Sequence, residues 1–499
     1  MPTNSINWDV GAFAQNADTG FSKRIKNIML QYKPETRGIK RVLPEDRHSL
    51  AQMGYIQIAM LWFSVDLTAN NITLGMLGPT VFRLNFTEAS LCAVLGMIVG
   101  ILPVAYIATF GPRTGLRTMA FARFSMGWYS AKILVVLNII MLLGYSLVTV
   151  VIAGQIISAV SATKDLTITV GIIIVSVLAW ILTTFGYSAF HLYERYAWIP
   201  QIVVVSILAG VAGPTFDLNT DLSRGTDALT VKGNRLSFFS LCLAAAITYC
   251  GGAADMFVYY PESSSGRKVF SATAFGLVAS FAYSLIIGIG LGSGTANTQT
   301  WNDAFSTSEG ALIVEAFRPL GTFGSVCGII VALGLVSNII LPVYASGVSF
   351  QTLGKWFERV PRVVWNTVGV IAFPVCAIVG RSNLAEIFTN FLALMGYWVS
   401  IWIAILLEEH ILFRRWMGLD WEWSSWNNRH KLPVGMAACV AFLVGWVGSI
   451  LCMAQVWYIG PLAAKLGKQG GDMGNYVGFL WAGLVFPGLR WLELRQYRR

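Results

Sequence analysis

Two stretches decide the fold: Ser64-Val65-Asp66-Leu67-Thr68-Ala69-Asn70-Asn71-Ile72-Thr73 and Thr248-Tyr249-Cys250-Gly251-Gly252-Ala253-Ala254-Asp255. Each interrupts a long apolar run near its middle, the first with hydrogen-bonding side chains and the second with a glycine pair. The surrounding composition gives the interruptions their meaning. The 499 residues are 55% hydrophobic and only 12% charged, with a mean hydropathy of +0.62. An ordinary soluble chain is roughly a quarter charged, so a soluble enzyme, a nucleic-acid binder and a disordered scaffold are excluded.

Runs of about 20 apolar residues, enough to cross roughly 30 Å of hydrocarbon, occur near 52–78, 90–110, 132–160, 167–185, 193–212, 237–260, 272–294, 324–348, 363–380, 384–407, 434–458 and 474–489. The sequence therefore predicts an all-α polytopic membrane protein of 12 transmembrane helices, with a short external helix between Trp301 and Arg318. The two interruptions fall in spans 1 and 6. A five-span offset between broken helices predicts two inverted repeats of five spans, 52–212 and 213–407. Spans 11 and 12 with their preceding loop follow over 408–489, between an N-terminal tail 1–51 and a C-terminal tail 490–499. A broken helix leaves backbone N–H and C=O groups unpaired at membrane depth, tolerable only where they line a protein cavity. The plainer alternative is that Gly251-Gly252 permits close packing and the polar side chains bond within the bundle.

Of the 35 Lys and Arg, 26 fall in the tails and loops of one face and 9 on the other. The positive-inside rule then places both termini in the cytoplasm, and the net charge of +10 needs no polyanionic partner. The first 51 residues are basic and lack an apolar stretch long enough for a cleavable signal peptide. All seven cysteines lie in apolar segments without metal-ligand spacing and read as small core residues. Gly96/Gly100, Gly288/Gly292 and Gly324/Gly328 have the spacing of close helix contacts. Metalloprotease, nucleophile-elbow and Walker motifs are absent and only four histidines occur, which argues against an enzyme or a resident metal or cofactor. No repeated selectivity-filter segment supports a channel. A non-transporting sensor on a transporter scaffold is the remaining rival.

Further stretches carry a resemblance: Trp62-Phe63-Ser64-Val65, Leu77-Gly78-Pro79, Gly111-Pro112-Arg113-Thr114-Gly115-Leu116-Arg117, Ala122-Arg123-Phe124, Glu194-Arg195-Tyr196, Ala253-Ala254-Asp255 and Asn338. Over nearly its whole length the chain resembles the fungal purine-cytosine permeases of the nucleobase-cation-symport-1 family. The resemblance implies the five-plus-five, LeuT-like inverted-repeat fold and a plasma-membrane importer of a planar nitrogen heterocycle. It implies a site between spans 1, 3, 6 and 8, formed by Ser64, Asp66, Tyr145, Thr149, Tyr249 and Asn338. Where such permeases usually carry Trp and Asn in span 3, this chain has Tyr145 and Thr149. The span 6 aromatic is Tyr249, and the usual Asn-Asn of span 8 reads Asn338-Ile339. Stacking survives these exchanges because Tyr presents a π face, whereas the hydrogen-bond inventory changes. Cytosine is therefore not expected to be the best ligand, and a pyridoxine-type vitamer is the alternative.

Asp66 is an acid at bilayer depth, where insertion costs roughly 2.5–3.5 kcal/mol, so it should face the cavity, either serving ligand or proton or bonding to unwound backbone. Glu194 either pairs with its neighbour Arg195 or points into the bundle as a proton carrier, the role the resemblance implies. His191 shares its helix face in an HxxE spacing too weak to mark a metal. Asp255 is expected to cap the half-helix after the break. In sodium-coupled relatives of the fold, hydroxyls about one and a half turns before the substrate-facing asparagine hold the cation. Here those positions are Ala332, Leu333 and Gly334, which predicts proton symport, with Glu194 and Asp66 as the exchanging carboxyls.

Overall fold

The computed structural model describes residues 38–48, 54–161, 166–185, 198–419 and 421–497, and these are almost entirely helical. The helices of eight residues or more are α1 Tyr55–Asp66, α2 Ala69–Thr80, α3 Phe86–Ala108, α4 Ala131–Val160, α5 Ile168–Phe185, α6 Trp198–Ala212, α7 Ala228–Ile247, α8 Gly266–Gly294, α9 Gln299–Thr307, α10 Glu309–Ala316, α11 Thr322–Thr352, α12 Arg362–Gly380, α13 Leu384–Glu408, α14 Met436–Cys452 and α15 Gly474–Tyr497. A π-helical turn, Glu409–Trp416, continues α13 beyond the expected end of span 10.

Among the described residues eight helical stretches are long and apolar enough to cross a membrane. The broken first span is not one of them, because the interruption leaves two helices of 12 residues. Neither is α7, whose first turns carry Lys232, Asn234 and Arg235. The expected external helix is a pair, α9 and α10, with Ser308 capping α10 through a bond from Ala311 N.

The first interruption is a true break. Leu67 and Thr68 leave helical geometry, Thr68 with φ −137° and ψ 161°, and the last carbonyls of α1 lose their intrahelical partners. Side-chain amides replace those partners. Asn71 Nδ2 donates to Asp66 O at 2.7 Å, and Asn338 Nδ2 donates to Val65 O at 2.9 Å. The Asp, Thr and Asn residues at this point are those that compete with helix by bonding backbone groups.

The second interruption ends α7 in a 3₁₀ turn, Thr248–Gly251, followed by another, Asp255–Phe257. Gly251 is required there, since a Cβ would sit 2.1 Å from Asn138 Oδ1, whereas Gly252 has open space around it. No α-helical half follows before α8, so Asp255 does not have the expected helix to cap. Its carboxylate instead accepts from Thr118 N at 2.6 Å, while Ala254 N donates to Thr118 Oγ1 at 3.1 Å. The glycine pair lets the chain unwind, and a one-turn helix, Thr118–Phe121, takes up the freed groups.

Glycine contacts order the bundle. Gly96 and Gly100 of α3 lie under Phe239 O and Leu243 O of α7, and Gly288 and Gly292 of α8 lie under Ile72 O and Met76 O of α2. Gly276 lies under Ala59 O of α1, and Gly75 of α2 under Leu285 O of α8. Any Cβ at these six positions would fall within 2.0–2.7 Å of a backbone oxygen, so each glycine sets a helix spacing. Gly324 meets Phe317 O and Gly328 meets Val160. All three glycine pairs noted in the sequence thus serve contacts within the chain. On the far side α11 packs along α4, and α15 packs between α14 and α13.

The cysteines depart in part from expectation: four are buried, Cys92 and Cys439 are half-buried, and Cys376 is exposed on α12. A membrane span has an apolar exterior, so an apolar neighbourhood in sequence does not identify the core.

Candidate functional site

The α1–α2 break, the α7 turn and the middles of α4 and α11 meet at a narrow cavity of about 20 Å³, room for about one water. Its walls are Thr68 of the break, Asn70, Asn71 and Leu74 of α2, Tyr145 of α4, Ala245 of α7 and Tyr249 of the 3₁₀ turn that ends it, Phe281 of α8, Asn338 of α11, and Phe388 and Leu392 of α13. Three of the six residues expected at a binding site, Tyr145, Tyr249 and Asn338, therefore line one space. Asp66 and Thr149 stand directly behind it, bonded to its walls. Ser64 is buried half a turn before Asp66 and is not on the wall.

Two hydrogen-bond systems form the polar side. In the first, Asn70 Nδ2 donates to Thr149 Oγ1 at 2.7 Å and to Asn338 Oδ1 at 3.0 Å, while Thr149 Oγ1 donates to Tyr145 O at 2.7 Å. Asn70 is only 8% exposed, and among the described residues its Oδ1 has no partner. In the second, the fully buried Asp66 accepts from Tyr249 Oη at 2.8 Å and Asn71 Nδ2 at 3.0 Å on Oδ1, and from Ser280 Oγ at 3.3 Å on Oδ2. Among the described residues no cation pairs with Asp66. Its charge is answered by three neutral donors, a set that serves both a carboxylate and, through Ser280 as acceptor, a carboxylic acid.

The aromatic side is held just as firmly. The Tyr249 ring stands edge-on to Trp62 at 5.8 Å and to Phe281 at 6.0 Å. The Tyr145 ring stands edge-on to Phe391 at 5.6 Å, with its hydroxyl 2.6 Å from Thr248 Oγ1. A planar ring larger than a water would have to part these walls.

Glu194 and His191 lie outside the described residues. Of the positions where hydroxyls are lacking in α11, Ala332 and Gly334 are buried and Leu333 is exposed. The Gln201 amide fills the face of Gly334 and donates to Ile330 O at 2.6 Å.

Comparison with known proteins places this geometry. The sequence profile described as a permease for cytosine/purines, uracil, thiamine and allantoin matches residues 51–474. The chain belongs to this permease family. The purine-cytosine permease fcyB of Emericella nidulans is 32% identical, covering 97% of this chain and 93% of its own. The vitamin B6 transporter TPN1 of Saccharomyces cerevisiae is 30% identical, covering 93% of this chain and 88% of its own. Among solved structures, Mhp1, a nucleobase-cation-symport-1 family transporter in a closed conformation with bromovinylhydantoin bound, superposes with a TM-score of 0.61 at 15% identity, over 93% of this chain and 96% of that one. The permease is thus a multi-pass membrane transporter with that fold.

Thr68, Asn70, Asn71, Leu74, Ala245, Phe281, Phe388 and Leu392 are the wall residues that residue-by-residue reading of the permease sequence does not single out. The Asn70-Asn71 pair has a signal, lying within the polar stretch itself. Phe388 and Leu392 have none.

Proposed function

We propose that the protein imports a planar nitrogen heterocycle of the nucleobase type by proton symport across the plasma membrane. The observation that carries this reading is the meeting of the Asn70–Thr149–Asn338 bonds and the Asp66–Tyr249 bond at one cavity beside a helix break. Ring faces of Tyr145 and Tyr249 offer stacking, and Asn70 Oδ1 and Asn338 offer acceptors and donors to a polar ring edge. Six residues, Ser64, Asp66, Tyr145, Thr149, Tyr249 and Asn338, form the site in this reading, with Asn70 and Asn71 added to it.

Twelve spans as two inverted five-span repeats, 52–212 and 213–407, with both termini cytoplasmic, complete the architecture. The glycine-set spacings of α1, α2, α3, α7 and α8 support a bundle of spans 1, 2, 6 and 7 that rocks against the remainder and exposes the cavity alternately. Asp66 and Glu194 exchange the driving proton. That Asp66 pairs with no Lys or Arg among the described residues supports this, since a buried carboxylate without a cationic side-chain partner is relieved by taking up a proton.

A second reading, import of a pyridoxine-type vitamer, is favoured by the similarity to a vitamin B6 transporter and by Asp66, which can accept from a pyridinium N–H. Uptake of radiolabelled adenine, hypoxanthine, cytosine and pyridoxine into cells lacking their own permeases, with unlabelled competitors, separates the two. Saturable uptake inhibited by purines supports the first reading, and inhibition by pyridoxine alone supports the second. Failure to take up any of the four by a well-expressed protein would refute both.

A further inference from the structure

Away from the central cavity, a second cleft of about 340 Å³ opens where α3 and α13 end. Arg113, His410, Arg414, Arg415, Leu419 and Trp421 line it. Arg113 stands in the last turn of the apolar stretch Phe86–Thr114, and the other basic residues belong to the π-helical turn ending at Trp416. The π register brings residues five apart to one side. His410 and Arg415 therefore face the same cleft, and Glu409 reaches Arg414, whose Nε donates to Glu409 Oε1 at 2.9 Å.

The cleft is built rather than incidental. Arg414 lies over the Trp421 ring at 4.6 Å, Arg113 Nη1 is 3.5 Å from His410 Nε2, and Tyr106 is bonded to His410 Nδ1. Beneath it Arg490 joins Glu409 and Glu493, and Glu493 accepts from Met436 N, so the floor is anchored to α14 and α15. Arg113 and Arg415 are exposed, and among the described residues neither is bonded to a carboxylate and no carboxylate lines the cleft. Asp420 lies outside the described residues. The position supplies the occupant: these groups stand where two spans leave the apolar layer, and Trp416 and Met417 beside them are 74% and 55% exposed. Exposed Trp at a span end is an interfacial anchor. Two guanidiniums without a carboxylate partner among the described residues, Arg113 and Arg415, beside the Glu409-bonded Arg414 at the ends of two apolar stretches, match a phosphate better than any neutral ligand, because Arg binds phosphate oxygens bidentately.

We propose that this cleft binds the phosphomonoester headgroup of an anionic membrane lipid. Native mass spectrometry of the full chain in detergent, titrated with dioctanoyl phosphatidylinositol 4-phosphate, tests it. A single saturable adduct is expected, with at least tenfold weaker binding of dioctanoyl phosphatidylcholine. The double variant Arg113→Gln/Arg415→Gln leaves the Glu409 bonds in place and should weaken the adduct by roughly thirtyfold. Lys355→Gln/Arg359→Gln, two charges elsewhere, should leave it intact. An adduct that survives the first variant, or is lost equally in both, would overturn the cleft as the site. Binding of inorganic phosphate as tightly as the lipid would overturn the lipid as its occupant.

Discussion

Replacing Asn70 by alanine deletes the donor on which two site residues converge. Asn70 Nδ2 holds Thr149 Oγ1 at 2.7 Å and Asn338 Oδ1 at 3.0 Å, all three buried. Each neutral bond contributes about 1 kcal/mol net, and a buried acceptor left without a donor costs about 1–3 kcal/mol. Asn338 retains Thr149 Oγ1 at 3.3 Å as a weaker contact, and the enlarged cavity admits water, so the lower end applies. Two bonds at about 1 kcal/mol give about 2 kcal/mol of site organisation, which sets a ceiling of roughly thirtyfold on the rise in KM. The assay is initial-rate uptake of the best competing heterocycle, with surface abundance followed by a fluorescent tag. Asn70→Asp sharpens the test, since it keeps the shape but turns a donor into an acceptor facing two oxygens, and should be worse than alanine. An unchanged KM at normal abundance in Asn70→Ala, or a milder effect in Asn70→Asp, would refute the role of this amide in organising the site.

Removal of either site ring, Tyr145→Ala or Tyr249→Ala, should cost about 1–3 kcal/mol of affinity by analogy with base stacking, and unchanged competition curves in both would sink the stacking arrangement. Asp66→Asn keeps an acceptor for Tyr249 and Asn71, and should abolish accumulation driven by acidic external pH while sparing counterflow exchange; intact pH-driven accumulation would contradict proton exchange at Asp66. Gly251→Ala should abolish uptake, its Cβ falling 2.1 Å from Asn138 Oδ1, and Gly252→Ala should be tolerated; the reverse order would mean the break is misassigned. Burial beside Gln155 raises the Glu309 carboxyl above its usual range. The folded state then binds the proton more tightly than the unfolded one, so stability is full below the unfolded pKa and is lost as pH rises through the folded value. Glu309→Gln should raise Tm at pH 8 and change it little at pH 4, and an equal shift at both would exclude the linkage.

The two interruptions are legible in sequence for different reasons. A run of Asp, Thr and Asn at membrane depth has no lipid-facing explanation, so a break at 64–73 follows from solvation alone. What the run does not disclose is which side chain serves backbone and which serves the cavity. The extended residue Thr68 resets the helical phase, sending Asn71 back to Asp66 O and Asn70 across to Asn338. Phe388 and Leu392 are invisible because an apolar residue in an apolar helix looks the same whether it meets lipid, core or cavity. Asp255 is misread as a local cap because its partner, Thr118, is 137 residues away and leaves no mark near it. The π-helical turn escapes for another reason: Glu409–Trp416 has a composition that an α-helix would share.

The glycine seams along α8 bear on how the first span can move. Gly276 grips α1 at Ala59, and Gly288 with Gly292 grips α2 at Ile72 and Met76, so a single continuous helix is clamped to the chain on both sides of the Leu67–Thr68 opening. Were α1 and α2 to swing about that opening, one seam would have to slide, and backbone oxygens in contact with Cα atoms leave no slack for sliding. In the proposed rocking motion the opening therefore serves as a fixed socket, its two lips keeping their separation while α1, α2 and α8 tilt as one lever.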